Sequence, residues 1–386
     1  MNKSIQKGLI NQVPDKHLHI ICLDVPFPPD YGGIIDIFYK IKALSEHGIL
    51  IHLHCFEYGR GEQTELNKYC QDVNYYSRSC GHKGISHKLP YIVCSRVDEK
   101  LAGQLLLDEY PILLEGVHCS FLLADPRFKK RKVILRLHNT EYEYYRQLFF
   151  AERSLAKKMY YWHESRMLKS YERKISNAVC ILALAERDVM RYKSEFSAGN
   201  ISYLPVFLPS MEITSRQGNG CYCLYHGNLS VSENEKAAIW LLENVFNDLQ
   251  IPLVIAGKNP SARLERSSRQ HPQCCLVSDP SEEEMQDIIA KAQIHVIPSF
   301  NATGIKLKLL NALFNGRHCV VNEEAVRDTR LEKLCHVGTD AREFKKMIIE
   351  LFDRPFSSDE IGRRAEILHQ EYDNQKNAGR LIQWLW

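Results

Sequence analysis

Residues 294–322 read IHVIPSFNATGIKLKLLNALFNGRHCVVN, and how this stretch divides decides the fold. The run IHVIP is apolar and β-branched, as suits a strand covered on both faces of a sheet. Asn301, Thr303 and Gly304 follow with loop and helix-start chemistry. Leu307, Leu309, Leu310, Leu313 and Phe314 then recur at helical spacing, Gly316 offers a stop, and the chain returns to a strand at HCVVN. A strand, a helix and a second strand in so short a span form one parallel crossover. Lys306 and Lys308 fall in the first turn of that helix, where the macrodipole disfavours a cation. Either an anion rests against the helix start, held by backbone N–H and ammonium groups together, or the pair is a solvated surface feature.

Working outward, the same alternation runs through most of the chain. HLHIICLDV (17–25) is expected as a first strand, the loop PFPPDYGG follows, and a helix to about His47 carries Ile34, Ile37, Phe38, Ile41 and Leu44 on one face. Ile49–Phe56, Tyr91–Cys94, Pro111–Val117, Lys132–Leu137 and Ala178–Leu184 are expected as strands. Glu141–Ser176 lacks Gly and Pro and reads as one or two long helices. The prolines of LPVFLPS (204–210) and the polar run Ser215–Gly220 mark a boundary. Beyond it the pattern restarts with Cys221–His226, a helix from Glu233, Pro252–Ala256, Cys274–Val277 and a helix Ser281–Ala292. The fold class expected is α/β, with two doubly wound Rossmann-like units facing across a cleft. They divide as 1–206, 207–370 and a closing helix over 371–386, which carries Leu381, Ile382, Trp384, Leu385 and Trp386 back toward the first unit.

Composition bounds the classes open to such a chain. At 386 residues with 45% hydrophobic and 25% charged side chains it suits a soluble protein with two ordinary cores. Thirteen cysteines, several in apolar runs and none in a CxxC pair, point to buried free thiols in a reducing compartment and give no support to a structural zinc site. No run is long enough to span a bilayer and the first residues lack a signal-peptide core, so the cytoplasm is expected. Charge is uneven: residues 126–174 hold 14 Lys/Arg against 5 Asp/Glu, a local +9 in a chain of +3. Aromatic residues, among them Phe128, Tyr142, Tyr144, Tyr145, Phe149, Phe150, Tyr160, Tyr161 and Trp162, interleave with that charge. Such a mixture suits an anionic membrane surface, a phosphorylated substrate or nucleic acid, or is merely a basic solvated helix.

Open α/β sheets bind ligands at the carboxyl ends of their strands, and the candidate chemistry falls there. Gly32-Gly33 follows the first strand, so Gly33 could let backbone approach a phosphate; a plain tight turn is the other reading. It is no GxGxxG fingerprint, which speaks against a dinucleotide dehydrogenase. His118 is expected to end one strand and His138 another, as a general base or a donor to a sugar or phosphate oxygen. Gly227, Asn234, Lys236 and Lys258 occupy the corresponding places in the second unit. No DxD-type aspartate pair occurs, so no metal is expected, and a leaving diphosphate would be neutralised by Lys236, Lys258, Lys306, Lys308 and helix starts.

The segments PFPPDYGG, LHNTEYEYY, YHGNLSVSENEKAAIWL, VIAGK and GIKLKLLNALFNGRHCVVN resemble, in order, a GT-B-fold glycosyltransferase of the family-4 or "group 1" type. That resemblance implies transfer of a sugar from a nucleotide-sugar donor, with Gly33 near the diphosphate, His118 near the transferred sugar, His138 as the histidine of the family's HN-type loop, and Lys306 and Lys308 in the donor loop. The family's paired Glu positions fall on Thr303 and Asn311 here, and its usual Arg/Lys pair on Asn234 and Lys236. The loop instead matches a lysine-bearing G-x-[KR]-x-K variant. The basic segment then implies a lipid-linked or otherwise anionic sugar acceptor at the inner membrane face, as in bacterial surface-polysaccharide or glycolipid assembly, and no nucleic acid. A GT-B scaffold without catalysis and a sugar-nucleotide epimerase are the alternatives.

Overall fold

The structure, a computed structural model, describes residues 15–79, 81, 88–152, 154–209, 212–300 and 306–386. Seven strands form the first sheet: β1 His17–Cys22, β2 Leu50–Glu57, β3 Asp72–Ser77, β4 Ile112–Glu115, β5 Val133–Leu137, β6 Cys180–Ala183 and β7 Ile201–Tyr203. Six form the second: β8 Cys223–His226, β9 Leu253–Gly257, β10 Cys274–Ser278, β11 Ile294–Ile297, β12 His318–Val321 and β13 His336–Val337. Every named pairing is parallel. The orders are β3-β2-β1-β4-β5-β6-β7 and β10-β9-β8-β11-β12-β13. Each sheet therefore reverses its winding once, between β1 and β4 in the first and between β8 and β11 in the second, which leaves a crevice at the carboxyl ends of those strands.

Local differences from the sequence reading have identifiable causes. Tyr91–Cys94 is not a strand but one helical turn opened by Pro90, whose ring suits a helix start. Ile92 N–H there donates to the buried Glu164 carboxylate. The polar stretch after residue 57 hides β3, which pairs with β2 through its backbone while its side chains are only half apolar. The strand of PILLEGVH ends at Glu115, because Gly116 takes φ +86° and turns the chain into a short 3-10 helix. His118 therefore sits in that turn and does not end the strand. Glu141–Ser176 is two helices, Glu141–Ala151 and Leu155–Ile175.

The helix Gly32–Glu46 buries its predicted apolar face, but Asp36 and Lys40 are buried with it. Lys40 Nζ lies 2.7 Å from Asp36 and 2.9 Å from Glu115. Arg136, inside β5, reaches Asp36 at 3.1 Å and donates to the carbonyls of Leu204 and Pro205. Asp36 also accepts from the Phe207 N–H at 2.9 Å. These ions thus hold the segment that leaves the first sheet. On the return path, Asn374 exchanges two hydrogen bonds with the backbone of Leu208. The final helix, Asn374–Leu385, then buries Leu381 and Leu385 in the same core as Ile37, Ile41 and Leu44.

Burial alone would raise the Asp36 carboxyl, yet Arg136 and Lys40 outweigh it and hold it well below the usual range. The same competition, led by Lys40 and His138, lowers Glu115. Because the folded values lie below the unfolded ones, this network stabilises the fold at neutral pH and loses that contribution as pH falls below about 4. Asp36→Ala strands Arg136 and is expected to cost about 3–5 kcal/mol, read as a lower urea midpoint at pH 7. At pH 3 the gap between variant and parent should narrow.

Candidate active site at two facing switch points

At the switch point of the first sheet, Gly32-Gly33 follows the loop after β1, and Gly116 and His118 follow β4. A Cβ built on Gly33 would lie 3.5 Å from His138 Nδ1, and one on Gly116 would lie 3.1 Å from His118 Nδ1. The two histidines and two glycines thus form one small floor. His138 is buried, with Nε2 2.9 Å from Glu115 and Nδ1 lacking any hydrogen-bond partner among the described residues. Glu115 is itself anchored on Lys40, so the buried ions orient His138 from below. His118 Nδ1 is likewise buried without a partner. Burial, then Arg96, His138 and Arg78, holds His118 well below the ordinary histidine range. At neutral pH it is an uncharged imidazole, able to accept or donate a hydrogen bond.

The switch point of the second sheet lies after β8 and β11. The helix Ser232–Trp240 starts beside Gly227, and the helix Leu307–Asn315 follows β11. Lys306 is the N-cap residue of that second helix and Lys308 lies in its first turn. Neither is a solvated surface lysine. Lys308 Nζ donates to Asn234 Oδ1 at 2.6 Å and to the Tyr225 hydroxyl at 3.1 Å. A Cβ on Gly227 would come within 3.6 Å of the Lys308 ammonium and 3.4 Å of Asn234 Nδ2. Lys306 Nζ lies 3.8 Å from Glu233. Burial lowers Lys308 to about 8, against the pull of Glu233, and also lowers Lys306.

The two halves touch where the chemistry is densest. A Cβ on Gly32 would sit 3.5 Å from Leu307 Cδ1, between the two lysines. Arg187 and Lys306 line the same crevice between the sheets, with Glu324 and Glu371. The Gly32–Leu307 contact thus brings the helix start that carries Gly33 against the helix start that carries Lys306 and Lys308.

Three other candidates are peripheral to that cluster. Lys236 is exposed and rests over the Phe300 ring at 5.5 Å. Lys258 is exposed after β9, which is not a switch-point strand. Asn311 lies one turn below Lys308, and its Oδ1 already accepts from Asn315 at 2.7 Å. Thr303 and Gly304 lie outside the described residues.

Glu233, Tyr225, Glu115, Asp36, Lys40 and Arg136 were not read as site residues from sequence. Their signal was present. Asp36 and Lys40, four apart on an otherwise apolar helix face, and Arg136 inside VILRL are charges that burial leaves no choice but to pair. Asp36, Glu115 and His138 lie close enough together for a metal ion. The Lys40 ammonium already stands between the two carboxylates, so these residues do not fit one.

Residues 220–354 match the family model described as glycosyl transferases group 1. An uncharacterized 44.6 kDa protein from the cps region of Klebsiella pneumoniae is 27% identical over 380 residues, covering 92% of this chain and 96% of that one. Among solved structures, sucrose-phosphate synthase from Thermosynechococcus elongatus superposes with TM-score 0.69 at 13% identity, over 95% of this chain and 98% of that one. Anabaena HepE, solved with UDP and glucose, gives 0.62 at 10% identity over 95% and 99%. WaaG, a glycosyltransferase involved in lipopolysaccharide biosynthesis, gives 0.60 at 12% over 93% and 98%. The architecture they share with this chain is the GT-B fold.

An anion at the second switch point needs Lys308 protonated. Affinity for inorganic pyrophosphate, measured by calorimetry, should therefore fall as pH rises past about 8. A bound anion raises the lysine's pKa, so the fall comes at or above that value. Lys308→Met should weaken binding at pH 7 and flatten the pH dependence between 7 and 9.

Proposed function

We propose that this chain, which has the GT-B fold and a C-terminal domain matching the group 1 family model, is a glycosyltransferase that moves a sugar from a nucleotide-sugar donor to an acceptor hydroxyl without a metal ion. The observation that carries the reading is the pair of half-buried, acceptor-held lysines at the start of the helix Leu307–Asn315, which meets Gly32 beside the two partnerless histidine nitrogens. In this mechanism the donor diphosphate takes the place of Asn234 Oδ1 and Glu233 as partner of Lys308 and Lys306. Gly227 and Gly33 leave room for it, and the lysines stabilise charge as it develops on the leaving group.

The acceptor oxygen attacks the anomeric carbon while the bond from that carbon to the diphosphate oxygen breaks. The electron pair of the broken bond leaves with the nucleoside diphosphate, and the acceptor proton passes to solvent or to a phosphate oxygen. His138, held through Nε2 by Glu115, presents Nδ1 to a sugar hydroxyl, and His118 does so beside it. A ligand hydroxyl at those nitrogens removes the cost of leaving them buried and unpaired.

The acceptor side is supported by the outer face of the helices Glu141–Ala151 and Leu155–Ile175. Phe150, Leu155, Met159 and Trp162 are exposed there among Lys157, Arg166, Lys169, Arg173 and Lys174. Apolar side chains interspersed with cations suit the headgroup region of an anionic bilayer, and so a lipid-linked or otherwise anionic acceptor. Among the described residues, no helix is long and apolar enough to cross a membrane. The capsule-region relative makes surface-polysaccharide assembly the process in which we place the reaction.

A panel of nucleoside diphosphates and nucleotide sugars, read by thermal shift, tests the donor reading. One nucleotide class should raise Tm by mass action, and Lys306→Met/Lys308→Met should abolish that shift while leaving the apo unfolding transition cooperative. No shift with any nucleotide would overturn the transferase mechanism. Glu115→Gln should lower kcat more than it raises donor KM, because it loosens His138 without touching the lysines.

A further inference from the structure

At the opposite end of the second sheet from the donor crevice, three potential metal ligands converge from three different elements. His318 opens β12, His336 opens β13, and Glu360 lies in the first turn of the helix Ser358–Tyr372. One ligand atom from each lies within 4.8 Å of the others. They border a cavity of about 360 Å³ that is also lined by Cys335, Lys333, Arg354 and Asp359.

The hydrogen bonding of His318 is the second observation. Its side chain is buried, and Nε2 lies 3.1 Å from the Arg354 carbonyl oxygen. A carbonyl can only accept, so Nε2 carries the proton. The other nitrogen, Nδ1, is buried without a hydrogen-bond partner and stands 3.6 Å from Glu360 Oε1. With the Nε2 proton engaged by that carbonyl, Nδ1 and a carboxylate oxygen face each other across 3.6 Å. A metal cation between them would satisfy both.

The spacing suits a metal. Two bonds of about 2.0–2.1 Å at a tetrahedral angle separate their ligand atoms by about 3.4 Å. A histidine that donates one ring N–H to a backbone carbonyl and aims the other nitrogen outward has the outer-sphere arrangement of metal-ligating histidines. Glu360 is oriented too: it accepts from Ser357 N–H at 2.9 Å and from the Ser357 hydroxyl at 3.1 Å, closing a capping box. Arg354 is the competitor, with Nη2 at 3.5 Å from Glu360 Oε1. At that length it is a weak partner, and an ion would displace it.

We propose that His318, His336 and Glu360 bind a divalent metal of zinc-like preference, with the cavity supplying its remaining position. The site pins together elements that otherwise share little. β13 is an edge strand of two residues, tied to β12 at Val320 and Val321. A metal would fasten it to both β12 and the helix Ser358–Tyr372. The surrounding Lys333, Arg354, Arg363 and Arg364 make an anion or hydroxide the favoured occupant of the fourth position. None of these residues belongs to the donor crevice, so the site stands independently of the catalytic reading.

The test uses tag-free full-length protein, stripped with a chelator and titrated with zinc chloride by calorimetry. One zinc per chain is expected to bind and to raise Tm. His336→Ala and Glu360→Gln, both at positions not fully buried, should each weaken binding at least about tenfold and leave nucleotide-induced stabilisation unchanged. Cobalt in place of zinc should give tetrahedral d–d bands without a thiolate charge-transfer band. No binding at micromolar zinc, equal affinity in both variants and the parent, or a thiolate band from the cysteines would each overturn the assignment.

Discussion

Four buried charges, Asp36, Lys40, Glu115 and Arg136, are the constraint on which the rest of the molecule depends. Removing ions from water is costly, and each is tolerable only while the others stay in place. Their positions fix three things at once. Lys40 and Glu115 tie the first helix to the carboxyl end of β4. Arg136 and Asp36 grip the chain where it leaves the first sheet. Glu115 Oε2, which accepts from Lys40, also meets His138 Nε2. A packed apolar core would bury the same surface, but it would not set the direction of the imidazole or of the linker. The network links a foundation to a reactive floor.

The second sheet solves the opposite electrostatic problem. Two lysines at a helix start stand against the macrodipole, and burial removes the water that would otherwise compensate them. In the free protein Asn234, Tyr225 and Glu233 supply the missing acceptors. All three belong to the unit that begins at β8, so the lysines are held ready by their own domain rather than by the facing one. An incoming diphosphate has only to exchange partners with them. Acceptors that are short, neutral or distant are the easier ones to displace, and Asn234 is a neutral one while Glu233 lies at 3.8 Å. A carboxylate at close range on both lysines would compete with the ligand far more strongly.

Periodicity made the alternation of strand and helix legible along nearly the whole chain, because a strand buried on both faces must be continuously apolar. It failed where that rule is relaxed. β3 sits at the sheet edge with half-polar side chains, and Tyr91–Cys94 is an apolar run too short to separate a strand from one helical turn. The candidate loops were legible because glycine, asparagine and lysine directly after an apolar run have few other reasons to be there. Which of those loops matter was not. Lys258 follows a strand as plainly as Gly227 does, and only the order of strands distinguishes them.

The sequence by itself determined the two doubly wound units, the loops that carry polar chemistry and the two lysines opposed to a helix dipole, since these follow from local pattern and spacing. Tertiary structure alone decided that β1 adjoins β4 and β8 adjoins β11, and so which loops flank a crevice. It also decided that Gly32 meets Leu307, and that Asp36, Lys40, Glu115 and Arg136 find one another. Strand order and ion pairing are relations between residues up to 100 positions apart, set by which hydrophobic faces pack together. No local pattern contains them, because the energy that selects them exists only once the sheets are assembled.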